Sequence, residues 1–113
     1  MRFGLKRGLM ENMPLIKVGK LSELPDNSVM EVTVGEQCYA VCNVRGTLHA
    51  LHGECLHQGG PLGQGQVADG RIICPWHAWE YDCRSGENID DPTARVATYP
   101  VHAEGDDILL QVP

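Results

Sequence analysis

Short segments in which apolar and polar residues alternate recur along most of the chain. Successive side chains of a β-strand point to opposite faces of its sheet, so this alternation predicts strands. The segments cover residues 15–18, 29–34, 38–44, 47–51, 79–83, 96–104 and 108–112. No segment has the spacing of an amphipathic helix. The pattern therefore predicts an all-β chain.

Turn signals separate the predicted strands at short intervals. Hairpin turns are predicted at Gly35-Glu36-Gln37, Arg45-Gly46, Asp69-Gly70 and Gly105-Asp106-Asp107. Short antiparallel strands at close spacing favour a sandwich or a partly open barrel. We expect residues 1–13 to form a flexible tail and residues 14–113 to form a single domain.

Composition and charge exclude several classes of protein. The chain has 113 residues, of which 42% are hydrophobic, and this suffices for one domain with a modest core. Fifteen acidic and nine basic residues give a net charge of −6 without a basic stripe, so nucleic-acid binding has little support. No run approaches the roughly 18–20 apolar residues that span a bilayer, and the apolar core of a signal peptide is missing. These features predict a cytoplasmic protein without a membrane anchor.

Two short Cys/His motifs carry the candidate chemistry of the chain. Cys55-Leu56-His57 is followed, after sixteen residues, by Cys74-Pro75-Trp76-His77. Each motif places one Cys and one His on a short loop, and two irons bridged by sulfide need four such terminal ligands. Glycines and prolines crowd both loops, which suits tight turns that aim backbone N–H groups at sulfur.

The motifs and their flanks, residues 55–62 and 74–82, resemble the two cluster loops of the Rieske [2Fe–2S] proteins. The resemblance implies a Rieske-type antiparallel β fold with an inserted cluster-binding subdomain at about residues 52–83. It also implies one [2Fe–2S] cluster of the Rieske type. The implied ligands are Cys55 and Cys74 for one iron, and His57 and His77 for the other.

The same resemblance implies roles for residues around the ligands. The histidine-ligated iron would lie near the tip of the protein, inside an apolar rim for docking. The expected rim residues are Leu56, Pro61, Leu62, Pro75 and Trp76. The acidic net charge suits a carrier that docks to basic patches, and simple solubility explains it equally well.

Two departures from the high-potential members of the family imply a low reduction potential. Those members join an extra cysteine in each loop by a disulfide, and the matching positions here are Gly60 and Trp76. They also use a Ser and a Tyr hydroxyl as donors toward the cluster. The Ser position is Trp79 here, whereas the Tyr position is kept as Tyr81. The implied potential is near the bottom of the roughly −150 to +300 mV Rieske range.

A zinc-stapled interaction module is the alternative interpretation of the two motifs. Zinc accepts two Cys and two His in a tetrahedral arrangement. The C-x-H half is unusual for a zinc finger, whose cysteines come as a C-x2–4-C pair. The spacing therefore favours the iron–sulfur interpretation.

The three other cysteines are expected to have no functional role. Cys38 and Cys42 lie four residues apart on a predicted strand, which separates them by roughly 13 Å at about 3.3 Å per residue. A disulfide needs Cα atoms within about 7 Å of each other, so this pair cannot close. Alternation places both on one core face with Ala40 and Val44. Cys83 is expected to be a free thiol.

The remaining histidines are interpreted as non-ligands. His49 and His52 are expected on the surface or in a loop, with His52 a candidate donor near the cluster, and His102 has no partner motif. A catalytic oxygenase fragment would need two histidines and a carboxylate at a mononuclear iron. We expect no second domain after Pro113, so this interpretation is not favoured.

The resemblance implies an electron carrier and not an enzyme in its own right. Such a ferredoxin passes electrons from a flavin-dependent reductase to a terminal oxygenase, for example a ring-hydroxylating dioxygenase. The alternative is the small subunit of an assimilatory NAD(P)H nitrite reductase, with the large subunit as its partner. Many such subunits have lost cluster ligands, whereas this chain keeps all four.

Overall fold

A computed structural model of the protein describes residues 14–56 and 58–113, and the regular secondary structure of these residues consists almost entirely of antiparallel strands. The strands are β1 (Leu15–Lys20), β2 (Ser28–Val34), β3 (Gln37–Val44), β4 (Thr47–His52), β5 (Gln66–Ala68), β6 (Arg71–Ile73), β7 (Glu80–Asp82), β8 (Thr98–Tyr99), β9 (Val101–Glu104) and β10 (Asp107–Gln111). Two single-turn 3₁₀ helices, Leu21–Glu23 and Leu62–Gln64, are the helical elements of this part of the chain. The expected tail, residues 1–13, lies outside the described residues, and so does His57.

The strands form three sheets that are stacked as layers. The middle sheet has the order β2-β3-β4-β8, an outer sheet has the order β1-β10-β9, and a small sheet has the order β5-β6-β7. The predicted all-β antiparallel fold is confirmed, with the small sheet inserted between β4 and β8. No helix in residues 14–56 or 58–113 is long and apolar enough to cross a membrane.

Strand β3 separates two hydrophobic cores. Ala40 and Cys42 face the loop-side core, which lies between the middle and small sheets, whereas Tyr39 and Val41 face the far core, which lies against β10. The loop-side core consists of Ala40, Cys42, Leu51, Cys55, Leu62, Val67, Ile72, Cys74, Tyr81, Cys83 and Val96. The expected core face of β3 is thus confirmed, although Cys38 at its start is only half-buried.

The Asp69-Gly70 turn joins β5 to β6, as predicted. Both residues have positive φ, 53° for Asp69 and 74° for Gly70. Two successive residues of this kind form the tight turn that matches the twist of a hairpin. The small sheet therefore connects the ends of the two motif-bearing loops.

The predicted strand at residues 96–104 is divided in two at Pro100. Upstream of the proline, β8 pairs with β4 of the middle sheet, and downstream of it β9 pairs with β10 of the outer sheet. Proline has no N–H and a fixed φ, so it cannot continue a ladder, and the chain changes sheets there.

Candidate metal centre

Two loops next to the small sheet carry the predicted ligands. In the first loop, the N–H of Cys55 donates to the carbonyl of Gly60 at 2.8 Å, and the N–H of Gly59 donates to the carbonyl of Cys55 at 3.0 Å. In the second loop, the N–H of Cys74 donates to the carbonyl of Trp79 at 2.8 Å. Each cysteine therefore anchors its own loop through the backbone.

Left-handed backbone bends both loops. Gln58 and Gly59 have φ of 68° and 71° in the first loop, and His77 and Ala78 have φ of 73° and 59° in the second. Residues other than glycine rarely adopt this conformation, which costs about 1–3 kcal/mol and clusters at functional sites. The strain at His77 and Ala78 falls within and next to the second Cys/His motif.

The thiols of Cys55 and Cys74 are buried together. They are 2% and 1% exposed, and they are neighbours in the loop-side core. Burial raises the pKa of Cys74, although the N–H of Trp76 opposes this by donating to its sulfur at 3.4 Å. A raised pKa makes the Cys74 thiol a poor thiolate on its own, and a bound metal deprotonates the cysteines that coordinate it.

Tyr81 supplies a polar group at the other side of the Cys55 sulfur. Its side chain is fully buried, and its hydroxyl oxygen lies 3.1 Å from Cys55 Sγ. The N–H of Leu56 donates to the same oxygen at 3.1 Å. Burial and the contact with Cys55 raise the pKa of Tyr81 to about 12, so the hydroxyl keeps its proton at neutral pH.

Gly60 leaves the space that the sulfur of Cys74 occupies. A Cβ at position 60 would lie 2.6 Å from Cys74 Sγ and 3.2 Å from the Cβ of Trp76. Bridged cysteines have Cβ atoms about 3.5–4.5 Å apart. The proximity of Gly60 to Trp76 therefore agrees with their alignment to the loop disulfide of high-potential members.

The surface around the second motif is apolar and exposed. Leu56 is 51% exposed and Trp76 47%, and Pro75 and His77 are exposed beside them. Pro61 is half-buried. Trp79, which occupies the position of a serine in the high-potential members, is also 37% exposed. We call Leu56, Pro75, Trp76 and Trp79 the apolar rim.

The prediction that Leu62 belongs to this rim is wrong. Its side chain is completely buried in the loop-side core. Leu62 begins the second 3₁₀ turn, and its N–H donates to the carbonyl of Gly53 at 2.9 Å. This hydrogen bond links the end of the first loop to Gly53 at its start, so Leu62 is a core residue that anchors the loop.

The residues present fit a [2Fe–2S] cluster. Two buried thiols are neighbours in the loop-side core. The N–H of Trp76 donates to the sulfur of Cys74, and the hydroxyl of Tyr81 contacts the sulfur of Cys55. His77 lies in the exposed part of the second loop. Sulfur and imidazole nitrogen are the ligands of a Rieske centre. In residues 14–56 and 58–113, no three His, Cys, Asp or Glu side chains converge as they would on one metal ion.

The histidines interpreted as non-ligands contact other side chains. Nδ1 of His52 lies 3.1 Å from Nε2 of Gln37, and its Nε2 lies 3.9 Å from Glu54. His102 has a partner that the sequence did not indicate, because its Nε2 lies 3.2 Å from Oε2 of Glu104. His49 is half-buried in β4.

The remaining cysteines are not bridged, but two of them touch. No disulfide joins any of the five cysteines of the chain. Cys42 and Cys83 are buried and hydrogen-bonded to each other, which raises the pKa of Cys42. Buried thiols of this kind are inert. Their burial agrees with the expected lack of a functional role for Cys42 and Cys83, which stays a prediction.

Asn88 is a site residue that the sequence analysis missed. It is only 6% exposed, and it pairs with Tyr81 across an isolated β-bridge, which brings its side chain next to Tyr81. The available signal was the turn sequence Asn88-Ile89-Asp90-Asp91, in which an Asn favours a side-chain-to-backbone turn. No local signal in the sequence indicates that this turn packs against Tyr81.

The sequence profile of the Rieske [2Fe–2S] domain matches residues 14–100. The chain therefore belongs to the Rieske [2Fe–2S] family, and its cofactor is one [2Fe–2S] cluster of the Rieske type.

Individual relatives agree with this family membership. The 3-phenylpropionate/cinnamic acid dioxygenase ferredoxin subunit of Escherichia coli K12 is 28% identical over 95 residues, which are 82% of this chain and 89% of that protein. A chain in the complex of reduced oxygenase and oxidized ferredoxin of carbazole 1,9a-dioxygenase superposes with a TM-score of 0.78 at 21% identity, over 86% of this chain and 92% of that one. A proposed NADH-dependent nitrite reductase small subunit from Mycobacterium tuberculosis gives a TM-score of 0.81 at 17% identity, over 89% and 96%. The two structural likenesses establish the fold.

Proposed function

We propose that this protein is a one-electron carrier between a flavin-dependent reductase and a terminal oxygenase. The observation that carries the proposal is the pair of buried, neighbouring thiols on two loops whose exposed residues are His77 and the apolar rim. In this arrangement the core would exclude water from one side of a bound redox group. The exposed rim would let a partner protein approach the other side. The E. coli relative, a dioxygenase ferredoxin subunit, supports the choice of an oxygenase as acceptor.

Four residues would hold the cluster in this proposal: Cys55 and Cys74 on the inner iron, and His57 and His77 on the outer one. When bound, the cluster accepts and releases one electron, and its two neutral imidazoles make that reduction easier than four thiolates would. The domain that carries it would span residues 14–113, with the cluster-binding subdomain at about residues 52–83.

The residues around the ligands would stabilise the charge that arrives with the electron. The N–H of Trp76 donates to the sulfur of Cys74, and the Tyr81 hydroxyl lies against the sulfur of Cys55. Donors to ligand sulfur favour the more negative, reduced state. Burial of both cysteines keeps water away from this side of the site.

The apolar rim would be the docking surface. Leu56 and Trp76 are each about half exposed, next to the proposed ligand His77. A small apolar patch on an acidic protein suits a contact that is brief enough for repeated turnover. Such a carrier touches no substrate, so we assign it no catalytic residues and place it in the cytoplasm with its partners.

Reconstitution tests the proposal. The purified protein would be reduced by an NADH-dependent flavin reductase and mixed in a stopped-flow instrument with an oxidised ring-hydroxylating oxygenase. We expect fast reoxidation, followed by product formation that needs all three components. Failure to reduce any such oxygenase, together with stable co-purification with a nitrite reductase large subunit, would replace the proposal by the nitrite reductase alternative.

A further inference from the structure

Asn88 is held in one orientation by the turn that follows it. Its Oδ1 accepts the N–H of Asp90 at 2.9 Å and the N–H of Asp91 at 3.0 Å. Its own N–H donates to the carbonyl of Ala94 at 2.8 Å. With the carboxamide oxygen committed to the turn, the NH₂ group is the part of the side chain that can meet Tyr81.

The oxygen of Tyr81 therefore has three polar neighbours. It accepts the N–H of Leu56 at 3.1 Å, it lies 3.1 Å from the sulfur of Cys55, and the third neighbour is the side chain of Asn88, the bridge partner of Tyr81. A hydroxyl has two acceptor lone pairs and one proton. With the N–H of Leu56 on one lone pair and the NH₂ group of Asn88 as the donor to the other, the proton is left for the sulfur.

We propose that Asn88 is a positioning residue for the cluster: it directs the Tyr81 hydroxyl proton onto the sulfur of Cys55 and thereby raises the reduction potential. Reduction adds negative charge that is shared by the ligand sulfurs, and a fixed donor stabilises that charge more than one that can rotate away. The inference rests on Cys55 as a cluster ligand. It does not depend on which proteins deliver or accept the electron.

The competing explanation is that Asn88 only builds its turn. Asn88→Asp separates the two roles, because the introduced carboxylate still accepts the N–H groups of Asp90 and Asp91 but cannot donate to Tyr81. It would instead accept the Tyr81 proton and take it away from Cys55. A second variant, Asn88→Ala, removes the donor without adding a charge.

The experiment is a double-mutant cycle on the cluster-loaded protein, with the midpoint potential as the readout. Each Asn88 variant is made in the wild-type and in the Tyr81→Phe background, since only coupling shows that Asn88 acts through Tyr81. We expect a lower midpoint in the wild-type background and a clearly smaller decrease in the Tyr81→Phe background. Asn43→Asp is the matched control, because Asn43 is another buried asparagine whose Oδ1 caps a turn, and its Nδ2 donates to Leu24 instead.

Equal decreases in the two backgrounds, or no decrease at all, would overturn the inference. Loss of the cluster in both Asn88 variants would overturn it too, because positioning one hydroxyl is not needed for assembly. Electron paramagnetic resonance of the reduced wild type keeps this result separate from the proposed ligand set. A wild type without a Rieske spectrum contradicts the ligands, whereas normal spectra with additive shifts contradict only the role of Asn88.

Discussion

The hydroxyl oxygen of Tyr81 lies 3.1 Å from the sulfur of Cys55 in the loop-side core. One hydrogen bond to a charged acceptor contributes roughly 1.5–3 kcal/mol, and about 1.4 kcal/mol corresponds to 59 mV for one electron. Tyr81→Phe is therefore expected to lower the midpoint potential by up to about 60–130 mV. A redox titration followed by visible absorption measures this shift.

Tyr39→Phe is the control for this titration, since Tyr39 is also buried but packs against Tyr99 in the far core. The wild-type midpoint itself is expected in the lower part of the family range. A value above roughly +150 mV would contradict the low-potential assignment that follows from Gly60, Trp76 and Trp79.

Replacing either proposed histidine ligand by cysteine is expected to change the type of cluster. His57→Cys or His77→Cys adds a negatively charged thiolate, so the potential should fall and the Rieske spectrum should be lost. Electron paramagnetic resonance of the reduced variants is the measurement, with His102→Cys on strand β9 as the control. Spectra unchanged from wild type in both variants would show that these histidines are not ligands.

Trp76→Ala is expected to slow electron transfer to the partner while the visible spectrum stays the same. The side chain is 47% exposed on the apolar rim, and the substitution keeps the backbone N–H that donates to Cys74. Leu15→Ala is a suitable control, because Leu15 is 50% exposed on the outer sheet. Stopped-flow rates over a range of salt concentrations separate the apolar contribution from charge effects. Equal rates for Trp76→Ala and wild type would rule out the rim as the docking surface.

Gly60→Ala is expected to impair cluster assembly far more than Gly59→Ala. At position 60 the added Cβ would lie 2.6 Å from the sulfur of Cys74, whereas at position 59 it would meet nothing within 4 Å. Gly59 has φ of 71°, so its substitution strains the backbone by about 1 kcal/mol without blocking the site. Iron and acid-labile sulfide per chain are the measurement. Equal occupancy in both variants would show that the space at Gly60 is not needed.

His49 is expected to make folding stability depend on pH below about 6.5. Burial lowers the pKa of His49, and Arg84 adds to this, although Asp82 opposes it. Because the pKa is lower in the folded state, the unfolded chain binds more protons as the pH falls below its unfolded value. Stability should then decrease until the pH has passed through the folded pKa. Urea unfolding between pH 5 and pH 8 should show a flatter profile for His49→Gln, and an identical profile would refute the assignment.

Local patterns in the sequence were sufficient for the strands and the loop motifs, but not for contacts between distant segments. Alternation and turn residues identify β2, β3 and the Asp69-Gly70 hairpin, because those signals act within a few residues. The burial of Leu62 and the contact of Cys42 with Cys83 depend on how sheets stack. The same holds for Asn88: the local sequence predicts its turn, but it does not predict that the turn packs against Tyr81.

The position of strand β3 between the two cores predicts how the visible absorption of the cluster-loaded protein would change during unfolding. Its odd-numbered residues Tyr39 and Val41 pack in the far core, while Ala40 and Cys42 pack behind the thiols that we propose as ligands. The two cores therefore share strand β3, and we expect them to unfold together in one cooperative transition. We expect the visible absorption of the cluster to be lost at the same denaturant concentration at which the outer sheet unfolds.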